Sequence, residues 1–133
     1  MSVTIYTDGS CMPNPGPGGY AFIILEEEND GVEWHVSGGE NNTTNNRMEL
    51  KAVISSLNFV KQRDKYIIYS DSMYVINCAK GIWSKKKNID LWDEYDIISK
   101  DKNINWNWVK SHDGNIYNEL VDKLAKKEVY KKK

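Results

Sequence analysis

The chain has 133 residues, with 18 Lys plus Arg against 19 Asp plus Glu and a formal net charge of −1. That length suits one domain, spanning residues 1–133 and burying roughly two thirds of its unfolded surface, so no disulfide framework or structural zinc is needed to hold a core. Balanced charge means that bulk electrostatics alone do not announce a nucleic-acid binder. Basic residues gather only at Lys85–Lys87 and near the C-terminus (Lys126, Lys127, Lys131–Lys133), where simple solvation is expected.

In chain order, Val3 to Thr7 reads as a strand that runs directly into Asp8 and a Pro/Gly-rich segment. A carboxylate is thereby expected at the end of a buried strand. The first basic residue is Arg47, so Asp8 has no local ion pair and must shift its pKa, pair at long range or bind a cation. Gly18 to Glu28 reads as a second strand, Asn29-Asp30-Gly31 as a hairpin turn, and the alternation of Val32, Trp34 and Val36 with Glu33, His35 and Ser37 as a third strand. His35 falls on the polar face of that strand and reads as a surface residue.

Gly38 to Asn42 reads as a loop, and Thr43 to Asn46 as N-cap candidates for a helix with Leu50, Val53, Ile54, Leu57 and Val60 on its core face. Glu49 sits at the edge of that stripe. It either points into a cleft or is a first-turn acid favoured by the helix dipole. Lys65 to Ser70 has the continuous apolar character of a strand buried on both faces, and it ends in Asp71. Asp71-Ser72 reads equally as an N-cap for a helix from Met73 to Lys80 or as a second acid at a strand end, where open α/β sheets place ligands.

The connector Gly81 to Asn88 contains Trp83 and Lys85, Lys86 and Lys87. Trp83 reads as a stacking aromatic beside a basic run or equally as a core residue. A helix from Asp90 to about Lys100, a strand through Ile104, Trp106 and Trp108, and a helix from Asn115 to Val129 with Leu120, Leu124 and Ala125 as its apolar side complete the chain. Glu119 and Asp122 share one edge of the last helix, which is either a solvated face or the rim of a site. Cys11 and Cys78 lie in no metal-like spacing, and no charged leader precedes an apolar core. A soluble, cytoplasmic, monomeric protein with no membrane partner is expected.

A βββαβα(α)βα order would bring Asp8, Glu49, Asp71 and Asp122 to one cleft. Such a cluster of hard oxygens suits Mg²⁺, with Mn²⁺ as a substitute, whereas zinc would call for clustered His or Cys. Two such ions about 4 Å apart support in-line phosphodiester hydrolysis. Without cations the cluster repels itself, so at least one carboxylate is expected to titrate abnormally high.

Four segments carry a resemblance to a known family. Thr7-Asp-Gly-Ser-Cys with Asn14-Pro-Gly-Pro-Gly-Gly-Tyr20, Thr43-Thr-Asn-Asn-Arg-Met-Glu-Leu50, Tyr69-Ser-Asp-Ser-Met-Tyr-Val-Ile76, and Trp108-Val-Lys-Ser-His112 with Asn118-Glu-Leu-Val-Asp-Lys-Leu-Ala125 resemble type 1 ribonuclease H. The match covers nearly the whole chain, and four motifs in order make it specific. It implies an RNase H-like α/β fold with a five-stranded mixed sheet, three strands antiparallel and then parallel ones, flanked by helices. It also implies metal-dependent endonucleolytic cleavage of the RNA strand of an RNA/DNA hybrid, leaving 5′-phosphate and 3′-hydroxyl ends, with two Mg²⁺ ions when substrate is present.

By position, the resemblance makes Asp8, Glu49, Asp71 and Asp122 the metal-binding carboxylates, Glu119 a further acid near the second metal, and His112 a loop histidine for proton transfer or product release. Asn14, Asn45, Asn46 and Met73 match positions lining the hybrid's minor groove, and Thr44 and Asn88 match positions holding a DNA-strand phosphate. Trp83 lies near the family's DNA-channel aromatic. The chain departs from better-known relatives in its basic protrusion, here cut to Ser84-Lys-Lys-Lys87. Weaker hybrid binding follows, unless a partner domain or protein supplies the missing charge. A non-catalytic hybrid-binding module is the alternative, although such a module has no need of four carboxylates. A related polynucleotidyl transferase acting on DNA is disfavoured by the Asn/Met groove set.

Overall fold

The computed structural model describes residues 1–26, 31–60, 62–110 and 113–133. Strands β1 (Ser2–Cys11), β2 (Gly16–Glu26) and β3 (Val32–Thr43) form an antiparallel meander, and β4 (Lys65–Ser70) and β5 (Ile104–Trp108) add in parallel on the other side of β1. The sheet order is β3-β2-β1-β4-β5. Helix α1 (Asn45–Phe59) connects β3 to β4, α2 (Met73–Ala79) and α3 (Ile89–Ser99) connect β4 to β5, and α4 (Ile116–Lys131) follows β5. This is the expected α/β architecture.

Period-2 alternation along β1 and β2 divides the core between two faces. Val3, Ile5, Phe22 and Ile24 pack with Leu50, Val53 and Leu57 of α1 and Trp92 of α3, whereas Tyr6, Ala21 and Ile23 pack with Val121 and Ala125 of α4. Tyr6 also stacks on Tyr69 at 4.7 Å. β4 therefore differs from the strand expected to be buried on both faces: Tyr66, Ile68 and Ser70 are buried, and Lys65, Ile67 and Tyr69 are half-covered.

Two stretches expected to be turn or loop are strand. β1 continues through Asp8 to Cys11 because Gly9, Ser10 and Cys11 pair with Tyr20, Gly19 and Gly18. Its pairing to β4 ends at Tyr6–Tyr69, so Asp8 lies where two parallel strands part and not at a strand end. Gly38 to Asn42 extends β3, since Gly38, Gly39 and Glu40 pair with Tyr20, Gly19 and Gly18. Glycine here permits close backbone approach without breaking the ladder. In α4 the fully buried residues are Val121, Ala125 and Val129, with Leu120 and Leu124 only partly covered. Of the Asn29–Gly31 turn, only Gly31 is among the described residues.

Two glycines set where helices cross the sheet. A Cβ on Gly9 would occupy the backbone of Met48 and Glu49, and one on Gly19 would meet the carbonyl of Ala125. The first lays α1 directly on β1 beside Asp8. The second lays α4 on β2, one turn beyond Asp122. Cys11 and Cys78 are both free thiols. No helix among the described residues is long and apolar enough to cross a membrane.

Candidate active site

Each carboxylate reaches the cleft for a local reason. The Thr44 hydroxyl accepts from the Arg47 N–H at 3.3 Å and caps α1, which puts Glu49 beyond the first turn and removes its helix-dipole explanation. Ser72, not Asp71, caps α2, with its hydroxyl accepting from the Val75 N–H at 3.2 Å. Asp71 is thereby released from capping. Its backbone carbonyl accepts from the Trp108 indole at 3.3 Å, tying the end of β4 to the end of β5.

Asp8, Glu49 and Asp71 each present a carboxylate oxygen within 4.8 Å of the others. The Gly9 N–H donates to Asp8 Oδ1 at 2.9 Å and also to Glu49 Oε1. Asp122, on α4, lines the same cleft of about 330 Å³ with Ser10, Asn45, Ser72 and Lys126. Asp8 and Glu49 are nearly inaccessible, at 4% and 5% exposure. Burial, followed by the negative charges of Glu49 and Asp71, holds the Asp8 carboxyl far above the usual carboxylate range. Burial, aided by Asp71, also raises Glu49 against the hydrogen bonds it receives from Asp8 and Gly9. The pair therefore holds a proton more tightly than isolated carboxyls would. In physical terms this cleft attracts a cation.

Lys126 was missed by sequence reasoning, which grouped it with solvated tail lysines. It lines the cleft, with its ammonium 3.1 Å from Asp122 Oδ2. The i,i+4 spacing from Asp122 was the available signal. Glu119 lies exposed on the first turn of α4, outside the cleft lining. His112 falls outside the described residues.

Of the residues expected to contact a nucleic acid, Asn45 lines this cleft. Asn14 Oδ1 accepts from the Asn45 N–H at 3.1 Å, joining the loop after β1 to the start of α1. Asn45 and Asn46 are exposed, as are Met73 and Trp83, at 49% and 47%. Trp83 is thus not a core residue. Lys86 and Lys87 are exposed, whereas Lys85 reaches Asp96 at 3.1 Å and sits over the Trp92 ring. Asn88 holds a left-handed conformation, φ 57°, at the start of α3.

The fold and cleft together define an α/β domain whose sheet presents a buried cluster of carboxylates where β1 and β4 part. The RNase H family profile matches residues 1–130, and the chain belongs to that family. It is 47% identical to a ribonuclease H of Thermoanaerobacter sp. (strain X514), over 96% of this chain and 89% of the relative. It is also 44% identical to a ribonuclease HI of Helicobacter pylori (strain ATCC 700392 / 26695), over 99% of this chain and 96% of the relative. Among solved structures, LC9-RNase H1, described as a type 1 RNase H with the type 2 active-site motif, superposes with a TM-score of 0.84 at 27% identity, covering 99% of this chain and 74% of that one. LC11-RNase H1, solved in complex with an RNA/DNA hybrid, shares the fold with a TM-score of 0.84 at 22% identity over 97% of both chains.

Proposed function

We propose that the chain is a single-domain endoribonuclease that hydrolyses the RNA strand of RNA/DNA hybrids with two divalent cations, leaving 5′-phosphate and 3′-hydroxyl ends. The observation that carries this reading is the convergence of Asp8, Glu49 and Asp71 within 4.8 Å in the cleft that Asp122 also lines. Relatives named ribonuclease H, at 47% and 44% identity over nearly the whole chain, support it.

The donor set fits Mg²⁺, with Mn²⁺ as a substitute: oxygens alone converge, and burial together with the neighbouring negative charges raises two of the carboxyls. Asp8, Glu49, Asp71 and Asp122 would hold the ions. Bound cations supply Lewis-acid stabilisation of charge developing on the phosphoryl and leaving oxygens, and they acidify water for attack. The residues of the chain supply the rest. Gly9 fixes two ligand oxygens through one N–H. Glu119 is a further acid for the second ion, and His112, with its near-neutral intrinsic pKa, moves a proton or assists product release. Asn14, Asn45, Asn46 and Met73 read the minor groove, where the 2′-hydroxyl distinguishes the RNA strand. Thr44 and Asn88 hold a DNA-strand phosphate, and Trp83 with Lys85, Lys86 and Lys87 guides the DNA strand.

The test is cleavage of an end-labelled hybrid with Mg²⁺, Mn²⁺ or chelator, with duplex DNA as the competing substrate. Metal-dependent cutting of the RNA strand alone is expected. An intact RNA strand with hybrid binding retained would overturn the catalytic reading in favour of a binding module.

A further inference from the structure

Around Asn88, side chains from three helices meet in one hydrogen-bonded junction. Arg47 of α1 grips Asp90 of α3 through two parallel bonds of 2.9 and 2.7 Å and also reaches Asn88 Oδ1 at 3.4 Å. The Tyr74 hydroxyl of α2 accepts at 2.9 Å from Asn88 Nδ2 and at 2.9 Å from the Trp92 indole of α3. The Tyr74 and Trp92 rings meet edge to face at 6.0 Å.

These contacts decide which end of the Asn88 amide is free. A carboxamide carries an acceptor oxygen and a two-hydrogen donor, whereas a phosphate only accepts, so the amide is useful to a phosphate in one of its two orientations. A guanidinium only donates. With Arg47 at Oδ1, a flipped amide would set NH₂ against N–H, so the oxygen stays on Arg47 and the NH₂ turns to Tyr74. One Nδ2 hydrogen goes to the Tyr74 oxygen, and the second remains for a ligand. Thr44, whose hydroxyl caps the turn that projects Arg47, is held to the same junction.

We propose that Tyr74 and Arg47 are positioning residues that lock the Asn88 amide with its donor face toward a DNA-strand phosphate. The inference rests on the reading of Thr44 and Asn88 as phosphate-holding residues and adds how that grip is oriented. In this chain the device carries more of the substrate grip than a long basic protrusion would leave to it, because the segment before Asn88 offers only Lys85, Lys86 and Lys87.

The experiment uses the whole chain and hybrids in which each DNA-strand phosphate in turn is replaced by an uncharged methylphosphonate. Wild type should lose binding about three- to tenfold at one phosphate position, as for one hydrogen-bonded contact. Asn88→Ala should lose that position-specific sensitivity; if it keeps it, the phosphate reading of Asn88 itself fails. With that sensitivity established, Tyr74→Phe and Arg47→Lys should each raise KM about three- to tenfold at unchanged kcat, and each should erase the same sensitivity. The double variant should be no worse than the weaker single, because both act through one amide. Tyr74→Phe and Arg47→Lys proteins that keep the wild-type sensitivity overturn the inference. A fall in kcat and melting temperature with equal weakening at every phosphate position also overturns it, since that pattern marks a purely structural role.

Discussion

The two ends of the β1–β4 strand pair treat charge in opposite ways. At the end where these strands begin, acids are matched: Glu26 pairs with Arg63, Asp64 pairs with the N-terminal amine, and Lys100 and Lys102 share a cavity of about 530 Å³ with Asp64 and Asp101. At the other end Asp8, Glu49 and Asp71 face one another, and Lys126, the one cation among the described residues lining that cleft, pairs with Asp122. The matched end holds the larger cavity, yet its acids Glu26 and Asp64 already carry cationic partners. Size does not locate the site. The proposed site lies instead where positive charge is in deficit, because burying a carboxylate cluster without counter-charge is costly.

The strongest way to break this comparison is to neutralise one acid at each end. Asp71→Asn should lower kcat for hybrid cleavage by on the order of 10³-fold or more, since Asp71, as the metal ligand proposed above, would contribute several kcal/mol to the transition state, while hybrid binding with chelator stays within about threefold. Glu26→Gln should leave kcat within about twofold and instead lower stability by about 1–3 kcal/mol, as expected for a largely covered ion pair. Steady-state cleavage and chemical denaturation on both variants provide the readout. Equal activity losses would mean that the two ends are not functionally distinct.

Much of this contrast was legible in the sequence. Asp8 and Asp71 follow strand-forming runs, and Arg47 is the first base in the chain, so a missing counter-charge could be read from residue order alone. What could not be read was backbone proximity. Gly9 looks like a turn residue by local propensity, but it is a strand residue whose missing side chain admits the backbone of α1. Gly38 and Gly39 mislead for the same reason: tertiary pairing with Tyr20 and Gly19 outweighs their intrinsic preference for turns. The choice between Asp71 and Ser72 as cap was undecidable because both residue types cap well, and only the Val75 N–H identifies which one does. The Arg47–Asn88–Tyr74 junction joins three helices and leaves no periodic trace.

A smaller effect, on stability, tests whether the deficit costs the metal-free fold anything. Asp8 has its pKa raised by burial and by Glu49 and Asp71. Below the unfolded value near 3.8 both states hold the proton and there is no penalty. As pH rises above that value the unfolded chain ionises while the native state keeps its proton, so stability contributed by this group declines with increasing pH. In chelator, the melting temperature of wild type should therefore fall between pH 5 and pH 8. Asp8→Asn should give a flatter profile, a gain of about 2 kcal/mol at pH 7, and no further stabilisation by Mg²⁺. A variant less stable than wild type at every pH would show that Asp8 is a structural acid, like those at the matched end.

The smallest effect carries the same rule into the basic segment. Lys85 is matched, bonded to Asp96 and lying over Trp92, whereas Lys86 and Lys87 are exposed and have no ion-pair partner among the described residues. Each phosphate neutralised by a free lysine adds about 0.7–0.9 to the slope of log K against log salt. Lys86→Ala and Lys87→Ala should each flatten the salt dependence of hybrid binding by up to about that amount, and Lys85→Ala should change it less while lowering the melting temperature slightly. Titrations from low to moderate salt distinguish the three. An equal slope change at all three positions would mean that the Asp96 pair opens on binding and that Lys85 belongs with the ligand-facing charges.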